Sequence, residues 1–291
     1  MEVFDDRRCR LGEGPHYDER TNRVVWVDIL GRRVLWRDLG STQRGDLPVD
    51  GHVGAAVPRD NGGLVLCLPD GPALLDPDGT LRMLGTYAQA DAAVGRPRAA
   101  DAPAARSNDA KADPNGRLWV GTTTYDEVPE AAALYRLDVG ATSLVRVVEG
   151  VTVSNGPAWS PDGTTMYYVD SPTRRVDTFS YDPRTGALGD RAEFVQFPPE
   201  WGFPDGICVD AAGGVWVACW GGHAVRRFTA DGVLERVVEV PTARVTSCTF
   251  AGADLDLLVI TTADGTGSGA GLTYVERPGD VVGRPVDRFG G

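Results

Sequence analysis

The sequence predicts an all-β protein, a six-bladed β-propeller that occupies residues 1–291 as one domain. Three observations lead to this prediction. One hairpin pattern recurs along the chain, further strand-like runs lie between its copies, and the patterns typical of helices are nearly absent. Units of roughly 40 to 50 residues, each with about four strands, match the blades of a propeller. A β-sandwich pair or a β-helix is the alternative, and the repeat length suits neither.

The recurring pattern is a short apolar run, a turn rich in Asp, Pro, Asn and Gly, and then an alternating apolar run. Such turn residues reverse the chain sharply, and alternation with a period of two is typical of a half-buried strand. The six copies occupy residues 15–28, 55–67, 110–122, 157–170, 207–219 and 248–261. Further apolar runs, such as residues 33–38, 74–81, 134–138, 176–181 and 225–228, supply the remaining strands of each blade.

Residues 86–105 break this pattern, because they are rich in Ala, Asp, Arg and Pro and show little alternation. We expect a long loop here. Loops of this length in compact domains are usually functional or disordered. The stretch runs directly into Arg106 and Asn108, so it is either a mobile lid or a plain surface insertion.

Composition narrows the classes of function. A chain with 42% hydrophobic and 24% charged residues is ordinary for a globular protein, and its net charge of -12 argues against nucleic acid as a partner. No apolar stretch is long enough to cross a bilayer and the N-terminus lacks the features of a secretion signal, so we expect a cytoplasmic protein without a membrane partner.

Five cysteines without a CxxC pair predict reduced thiols. Lys111 is the only lysine, a bias that we attribute to a GC-rich genome.

Superposing the six copies brings one position of each blade into register. These positions are Glu13, Gly54, Asn108, Asn155, Asp205 and Ser247. The innermost strand of every blade starts beside the propeller axis, so the six positions are predicted to form a ring at one mouth of the central channel. Four of them carry carboxylate or amide oxygens. Converging polar groups are costly to bury unless something compensates them, and a cation does so directly.

The donor types restrict the predicted cation. Two carboxylates, Glu13 and Asp205, with one or two amide oxygens from Asn155 and Asn108, make a site without thiolate or imidazole. Such a site suits hard cations. We expect one divalent ion, with Ca²⁺ first and Zn²⁺, Mg²⁺, Mn²⁺ or Fe²⁺ as alternatives. Three or four protein ligands leave coordination positions for water or substrate, as a metal-dependent hydrolase requires.

Five ordered segments resemble the SMP-30/gluconolactonase/luciferin-regenerating-enzyme family, whose members are also described as regucalcin-like. They are LGEGPHYD (11–18), RSNDAKADPNGRLWVGT (106–122), VSNGPAWSPDGTTMYYVDS (153–171), PDGICVDAAGGVWVACW (204–220) and TSCTFAGADLDLLVITTA (246–263). The resemblance covers nearly the whole chain. It implies a six-bladed propeller with one divalent metal in the central channel, and an activity among the sugar lactonases.

The resemblance also implies roles for individual residues. The implied metal ligands are Glu13, Asn155 and Asp205, and Asp205 is in addition the expected base toward the attacking water. Arg106 and Asn108 match the substrate-binding pair of the family. Asp126 falls where some members carry a further acidic substrate contact, and Glu127 is the alternative.

Two features depart from the family pattern: Ser107 replaces an aromatic or larger residue, and the insertion at 86–105 is long and rich in Ala. Both concern the substrate side of the pocket. Trp201, Phe203 and Trp220 flank Asp205 and are candidates either for an apolar wall against a sugar ring or for blade core.

The expected function is metal-dependent opening of a small sugar lactone, such as gluconolactone or a pentonolactone. Two alternatives remain. One is a calcium-dependent phosphotriesterase of the diisopropyl-fluorophosphatase type, and the other is a non-catalytic propeller that binds metal or carbohydrate.

Overall fold

The computed structural model describes residues 1–97, 99 and 102–291. Its strands form six antiparallel sheets of four strands each within these residues, and every sheet is one blade. Each innermost strand contacts the innermost strands of the two neighbouring blades, so the six sheets close into a ring. The predicted all-β, six-bladed propeller is confirmed.

The strands are given by their position in the blade, from the first blade to the sixth. The innermost are β2 (Gly12–Asp18), β6 (Ala55–Pro58), β10 (Ala105–Ala112), β14 (Ser154–Trp159), β18 (Phe203–Val209) and β22 (Val245–Ala251). The second are β3 (Arg23–Asp28), β7 (Leu64–Cys67), β11 (Leu118–Thr124), β15 (Thr165–Asp170), β19 (Val215–Trp220) and β23 (Leu257–Thr262). The third are β4 (Arg33–Asp38), β8 (Pro72–Leu75), β12 (Ala132–Leu137), β16 (Arg175–Asp182), β20 (Ala224–Phe228) and β24 (Thr273–Glu276). The outermost are β5 (Arg44–Pro48), β9 (Leu81–Met83), β13 (Val145–Val151), β17 (Ala187–Gln196), β21 (Leu234–Glu239) and β1 (Glu2–Asp5).

The outermost strand of the sixth blade comes from the opposite end of the chain. β1 pairs antiparallel with β24, and Val3 lies opposite Tyr274. The first and last strands of the propeller are therefore neighbours, and ladder hydrogen bonds close the ring.

The hydrophobic core lies between the blades. Six buried clusters are found in the described part of the chain, and each combines apolar side chains of two adjacent blades. Trp26, Trp119 and Trp216, each on the second strand of its blade, are fully buried. Each sheet packs against a neighbour on both faces, so the inner strands contain apolar runs such as residues 24–27, all of which are buried.

The Asp of the recurring turn has a structural role in two blades. Asp113 accepts hydrogen bonds from the backbone N–H groups of its own turn and, at 3.1 Å, from the indole N–H of Trp119. Asp210 does the same for its turn and for the indole of Trp216, at 2.9 Å. The turn motif therefore fixes both the hairpin and a core tryptophan, and so it recurs for reasons of folding.

The insertion at 86–105 contains a helix, so the expectation of a loop throughout was wrong. The helix α1 (Tyr87–Ala93) starts at a capping box, in which the Thr86 hydroxyl accepts from the Gln89 N–H at 3.2 Å. Asp91 fastens it to the third blade by accepting a 2.8 Å bond from Arg146. The segment that is predicted as a mobile lid includes Arg98, Ala100 and Asp101, which lie outside the described residues.

Two short 3-10 helices, Ser171–Thr173 and Pro199–Trp201, follow strands of the fourth blade. No helix in the described residues is both long and apolar enough to span a membrane.

The C-terminal segment, residues 280–291, crosses one face of the ring and contacts several blades in turn. Its bonds run from Ala211 N to Val282 O, from Arg284 Nη1 to Trp159 O, from Gly290 N to Gly116 O and from Phe289 N to Pro58 O. We call this face the lower face, and the opposite one, where the innermost strands begin, the upper face.

Candidate functional site

Each of four innermost strands contains one extra residue relative to its partner strand, close to its upper end. The irregularities fall within residues 13–16, 107–110, 155–158 and 204–207. Such β-bulges redirect side chains and are common next to active sites. In two of them the backbone adopts a left-handed conformation at a glycine, with φ of 52° at Gly14 and 70° at Gly156. The Glu-Gly and Asn-Gly pairs of the sequence thus bend the strands at the ring.

These bulges bring most of the predicted site residues into one cavity at the upper end of the axis. Its volume is about 180 Å³. Six polar side chains line it, namely Glu13, Arg106, Asn108, Asn155, Ser171 and Asp205, together with Glu127 at the rim. The residues come from the first, third, fourth and fifth blades. The chain therefore gathers at one point residues that are far apart in sequence.

Glu13 and Asp205 are both buried in this cavity, with 6% of each residue exposed. Burial, followed by repulsion from Asp109, raises the pKa of Glu13 to about 8. Burial and the negative charges of Glu13 and Asp109 raise the pKa of Asp205 well above its ordinary value. Neither carboxylate takes part in an ion pair within the described residues. The two groups are therefore costly to ionise unless a cation lies beside them.

A chain of hydrogen bonds holds the amides of the site. The Asn108 side-chain NH₂ donates to Asn155 Oδ1 at 2.7 Å, and the Asn155 NH₂ donates to Ser171 Oγ at 2.8 Å. Ser171 in turn donates to the Pro204 carbonyl at 2.7 Å, directly before Asp205. The Asn155 amide oxygen accepts one bond in this chain, and an amide oxygen has a second lone pair with which it can serve as a ligand.

Arg106 completes the polar side of the cavity. Its Nη1 donates to Asn108 Oδ1 at 2.7 Å and to the Ser107 carbonyl at 2.9 Å. Burial lowers the pKa of Arg106, whereas the charge of Glu13 raises it. An arginine remains a cation in this setting, and within the described residues only Nη1 makes these bonds. The other guanidinium donors are therefore available to a bound ligand.

Apolar side chains form the remaining wall of the cavity. They are Leu11, Val153, Pro172, Phe203 and Trp220. Arg174 lies 3.8 Å from the centre of the Phe203 ring and so supports it from behind by a cation–π contact. Trp201, by contrast, packs against Phe197 and Phe228 in the blade core. Of the three aromatic candidates, Phe203 and Trp220 line the cavity and Trp201 does not.

The structure distinguishes the two acidic candidates that follow β11. Both residues are exposed, but only Glu127 is one of the residues that line the cavity. The backbone of Glu127 is left-handed, with φ of 49°. The acidic group that the structure places next to Arg106 is therefore Glu127.

Ser107, the departure from the family pattern, is fully buried behind the site. Its hydroxyl donates to the Leu68 carbonyl at 2.6 Å and accepts from the Tyr87 hydroxyl at 2.6 Å. Tyr87 belongs to α1, so the insertion at 86–105 is bonded directly to the strand that carries Arg106. The two departures are thus structurally linked.

Below the cavity, three further titratable side chains occupy the channel. Burial raises the pKa of Asp109 to about 6, and burial together with the charge of Lys111 lowers that of His16 to about 4. His16 Nδ1 lies 2.9 Å from the Gly14 carbonyl, so Nδ1 carries the proton. Lys111 Nζ donates to the carbonyl of Ile207. The superposed position of each blade does not predict these three residues, because they lie further along their strands.

The donor set suits a hard divalent cation. Two buried carboxylates that lack ion-pair partners and one amide oxygen face the same cavity. The described residues contain no group of three or more His, Cys, Asp and Glu side chains placed to hold a metal. The predicted set needs no such group, since its third member is an amide. Oxygen donors of this kind are those that Ca²⁺, Mg²⁺ and Mn²⁺ prefer.

The fold and cavity define a class: six-bladed propellers with one acidic, amide-lined cavity at the upper end of the axis. Within this class, the chain belongs to the SMP-30/gluconolactonase/LRE-like family, whose sequence profile matches residues 11–264. The family resemblance read from the motifs is confirmed.

Individual relatives agree with this assignment. The chain is 37% identical to pentonolactonase XacC of Haloferax volcanii, over 96% of this chain and 90% of the relative. It is 35% identical to the putative sugar lactone lactonase YvrE of Bacillus subtilis, over 89% of this chain and 85% of the relative. The crystal structure of a calcium-binding protein, regucalcin, from Agrobacterium tumefaciens superposes with a TM-score of 0.89. The two chains are 28% identical, and the match covers 99% of this chain and 96% of that one.

Proposed function

We propose that this chain is a metal-dependent sugar lactonase, which hydrolyses the ester of a small aldonolactone. The observation that carries the proposal is the convergence of Glu13, Asn155 and Asp205 beside Arg106 in one cavity. Relatives named for lactone hydrolysis in two other organisms support the choice of substrate class.

The cavity has the size and polarity of a monosaccharide. Its volume of about 180 Å³ lies below the roughly 300 to 1,000 Å³ of sites for drug-sized ligands. A sugar lactone offers hydroxyl groups at its edge and C–H groups on its faces. Arg106, Asn108 and Glu127 can bind the hydroxyl groups, and Phe203 and Trp220 can pack against a face.

Glu13, Asn155 and Asp205 would hold the divalent cation. Calcium is our first expectation, since a structural relative is described as calcium-binding. When bound, the cation would supply Lewis-acid polarisation of the lactone carbonyl.

The chain's own residues would perform the remaining chemistry. Asp205 would accept a proton from the attacking water; it is a buried carboxylate that lines the cavity and lies on β18 two residues after Phe203 of the aromatic wall. Arg106 and Asn108 would orient the lactone through hydrogen bonds, and Arg106 would in addition balance negative charge that develops on the substrate. The water would add to the carbonyl carbon, the ring C–O bond would break, and the ring oxygen would take up a proton to give the hydroxy acid.

A lactone panel tests the proposal. Proton release would be followed with glucono-, galactono-, xylono- and arabinono-lactones in the presence of Ca²⁺, Mg²⁺, Mn²⁺ or Zn²⁺, and again with a chelator. We expect turnover of at least one lactone that the chelator abolishes and added metal restores. An organophosphate is the control substrate. Hydrolysis of the organophosphate alone would assign the chain to the phosphotriesterases, and metal binding without any turnover would make it a binding protein.

A further inference from the structure

Lys111 is the only lysine in a chain whose other basic residues are all arginine. It lies on β10, three residues after Asn108, and its Nζ donates to the Ile207 carbonyl on β18, two residues after Asp205. One side chain thus joins the strand that carries Asn108 to the strand that carries Asp205. These strands belong to the third and fifth blades, so the bond crosses the channel.

Three carboxylates meet at this level of the axis: Glu13, Asp109 and Asp205. Each is buried, and Asp109 Oδ2 has no hydrogen-bond partner in the described part of the chain. Two cations act on them, Arg106 beside the cavity and Lys111 below it. Arg106 favours ionisation of Glu13 and Asp205, and Lys111 favours ionisation of Glu13 and Asp109. Each carboxylate is therefore stabilised in its ionised form by at least one of the two positive charges.

Lys111 forms no ion pair within the described residues, because no carboxylate oxygen there lies within 4.0 Å of Nζ. Its charge acts on the carboxylates through space, and its hydrogen bond fixes Ile207. An arginine could not easily replace it, since the guanidinium is larger and planar, whereas the ammonium is a compact charge on a flexible stem. The genomic preference for arginine explains the other basic positions but not this one.

We propose that Lys111 is a positioning residue for lactone hydrolysis: its ammonium holds the β18 bulge that carries Asp205 and balances the carboxylates beneath the substrate. The proposal rests on the proposed lactonase function. Lys111 touches neither substrate nor the reacting atoms. It acts through the placement of Asp205 relative to Asn108, and a displacement of about 1 Å at a reacting group can cost about a hundredfold in rate.

A second cavity makes the role of the ammonium testable. It lies at the lower end of the channel, has a volume of about 60 Å³, and is lined by Lys111, His16 and Arg284 among others. A small amine that enters from the lower face can therefore reach the position of the lysine head group. Arg284 lines the same cavity but bonds to the Trp159 carbonyl, away from the strands that carry Asn108 and Asp205. It provides a matched control.

The experiment compares Lys111→Met, Lys111→Arg and the control Arg284→Met at saturating Mn²⁺. We expect Lys111→Met to lower kcat about tenfold or more while KM changes less than about threefold. The dissociation constant for Mn²⁺, measured by calorimetry, should be unchanged or lower, because a positive charge next to the site has been removed. Lys111→Arg should recover part of kcat, and Arg284→Met should keep the native kcat.

Chemical rescue separates the N–H donor of the ammonium from its positive charge. The Lys111→Ala variant should regain activity with propylammonium, and not with tetramethylammonium, which has no N–H donor. This variant, purified with propylammonium present, also serves as the test if Lys111→Met does not fold. Equal effects of the two cations would overturn the role of the ammonium as a hydrogen-bond donor.

Two other results would overturn the proposal. One is a native kcat and KM in Lys111→Met. The other is a parallel fall of kcat, Mn²⁺ affinity and melting temperature, which indicates general damage to the fold. A native protein that hydrolyses no lactone refutes the proposed function instead, so the two failures are distinguishable.

Discussion

Replacing Glu13 by glutamine is expected to stabilise the metal-free protein at high pH, although it removes a proposed ligand. Burial and repulsion from Asp109 raise the pKa of Glu13 from 4.5 to about 8. A one-unit difference in pKa corresponds to about 1.4 kcal/mol. Ionisation of Glu13 therefore costs the folded state about 5 kcal/mol above pH 8. Part of this cost is desolvation and part is repulsion from Asp109, so we expect Glu13→Gln to increase the free energy of unfolding of the metal-free protein by about 2 to 5 kcal/mol.

The sign follows from the direction of the pKa shift. A carboxyl whose pKa is raised in the folded state binds its proton more tightly there than in the unfolded state. The cost is complete above pH 8, declines as the pH falls, and vanishes near the unfolded value of 4.5. The free energy of unfolding of the native protein without metal should therefore increase as the pH falls from 9 to 5. For Glu13→Gln, this free energy should change less over the same range.

Urea unfolding with a chelator at pH 9 and at pH 5 measures this difference. Glu239→Gln is the control, because Glu239 is exposed on the outermost strand β21. Added Ca²⁺ should narrow the difference by about 2.7 kcal/mol, since a ligand at a hundredfold its dissociation constant stabilises the protein that binds it by this amount. A chelated Glu13→Gln variant that is less stable than the native protein at pH 9 would refute the reasoning.

Three further predictions concern the proposed reaction. Asp205→Asn should keep its fold by circular dichroism and lose about a hundredfold or more in kcat; a native turnover rate would show that Asp205 is not the base. Arg106→Ala should raise KM about tenfold or more with an unchanged metal dissociation constant, and loss of metal in calorimetry would contradict the separation of roles. Glu127→Gln should raise KM for the lactone, whereas Asp126→Asn should not; the reverse result in steady-state kinetics would place the acidic contact at Asp126.

The sequence alone predicted the propeller because its signal is repeated six times. Each blade contains the same turn and the same alternating strand, so errors in one copy are corrected by the others. The ring positions followed from the same register, and the structure places Glu13, Asn108, Asn155 and Asp205 around one cavity. The β-bulges that aim them were only implicit, in the glycines next to Glu13 and Asn155.

Features outside the repeat were harder to predict. The short helix α1 has a capping-box signature, Thr86 with Gln89 three residues later, but its composition hides the apolar face. The hydrogen bond from Tyr87 to Ser107 joins this insertion to the site across 20 residues, which no local pattern reports. The burial of Asp109 and His16 in the channel, which shifts the pKa of each, likewise results from tertiary packing.

The pairing of β1 with β24 determines when the ring of six blades can close during folding. Residue 3 lies opposite residue 274, so all the residues between them must leave the ribosome before these two strands can meet. Contacts between such distant residues form slowly, because a large loop must close first. The nascent chain can build its early blades one by one, but the circle of blades joins only after β24 has been made.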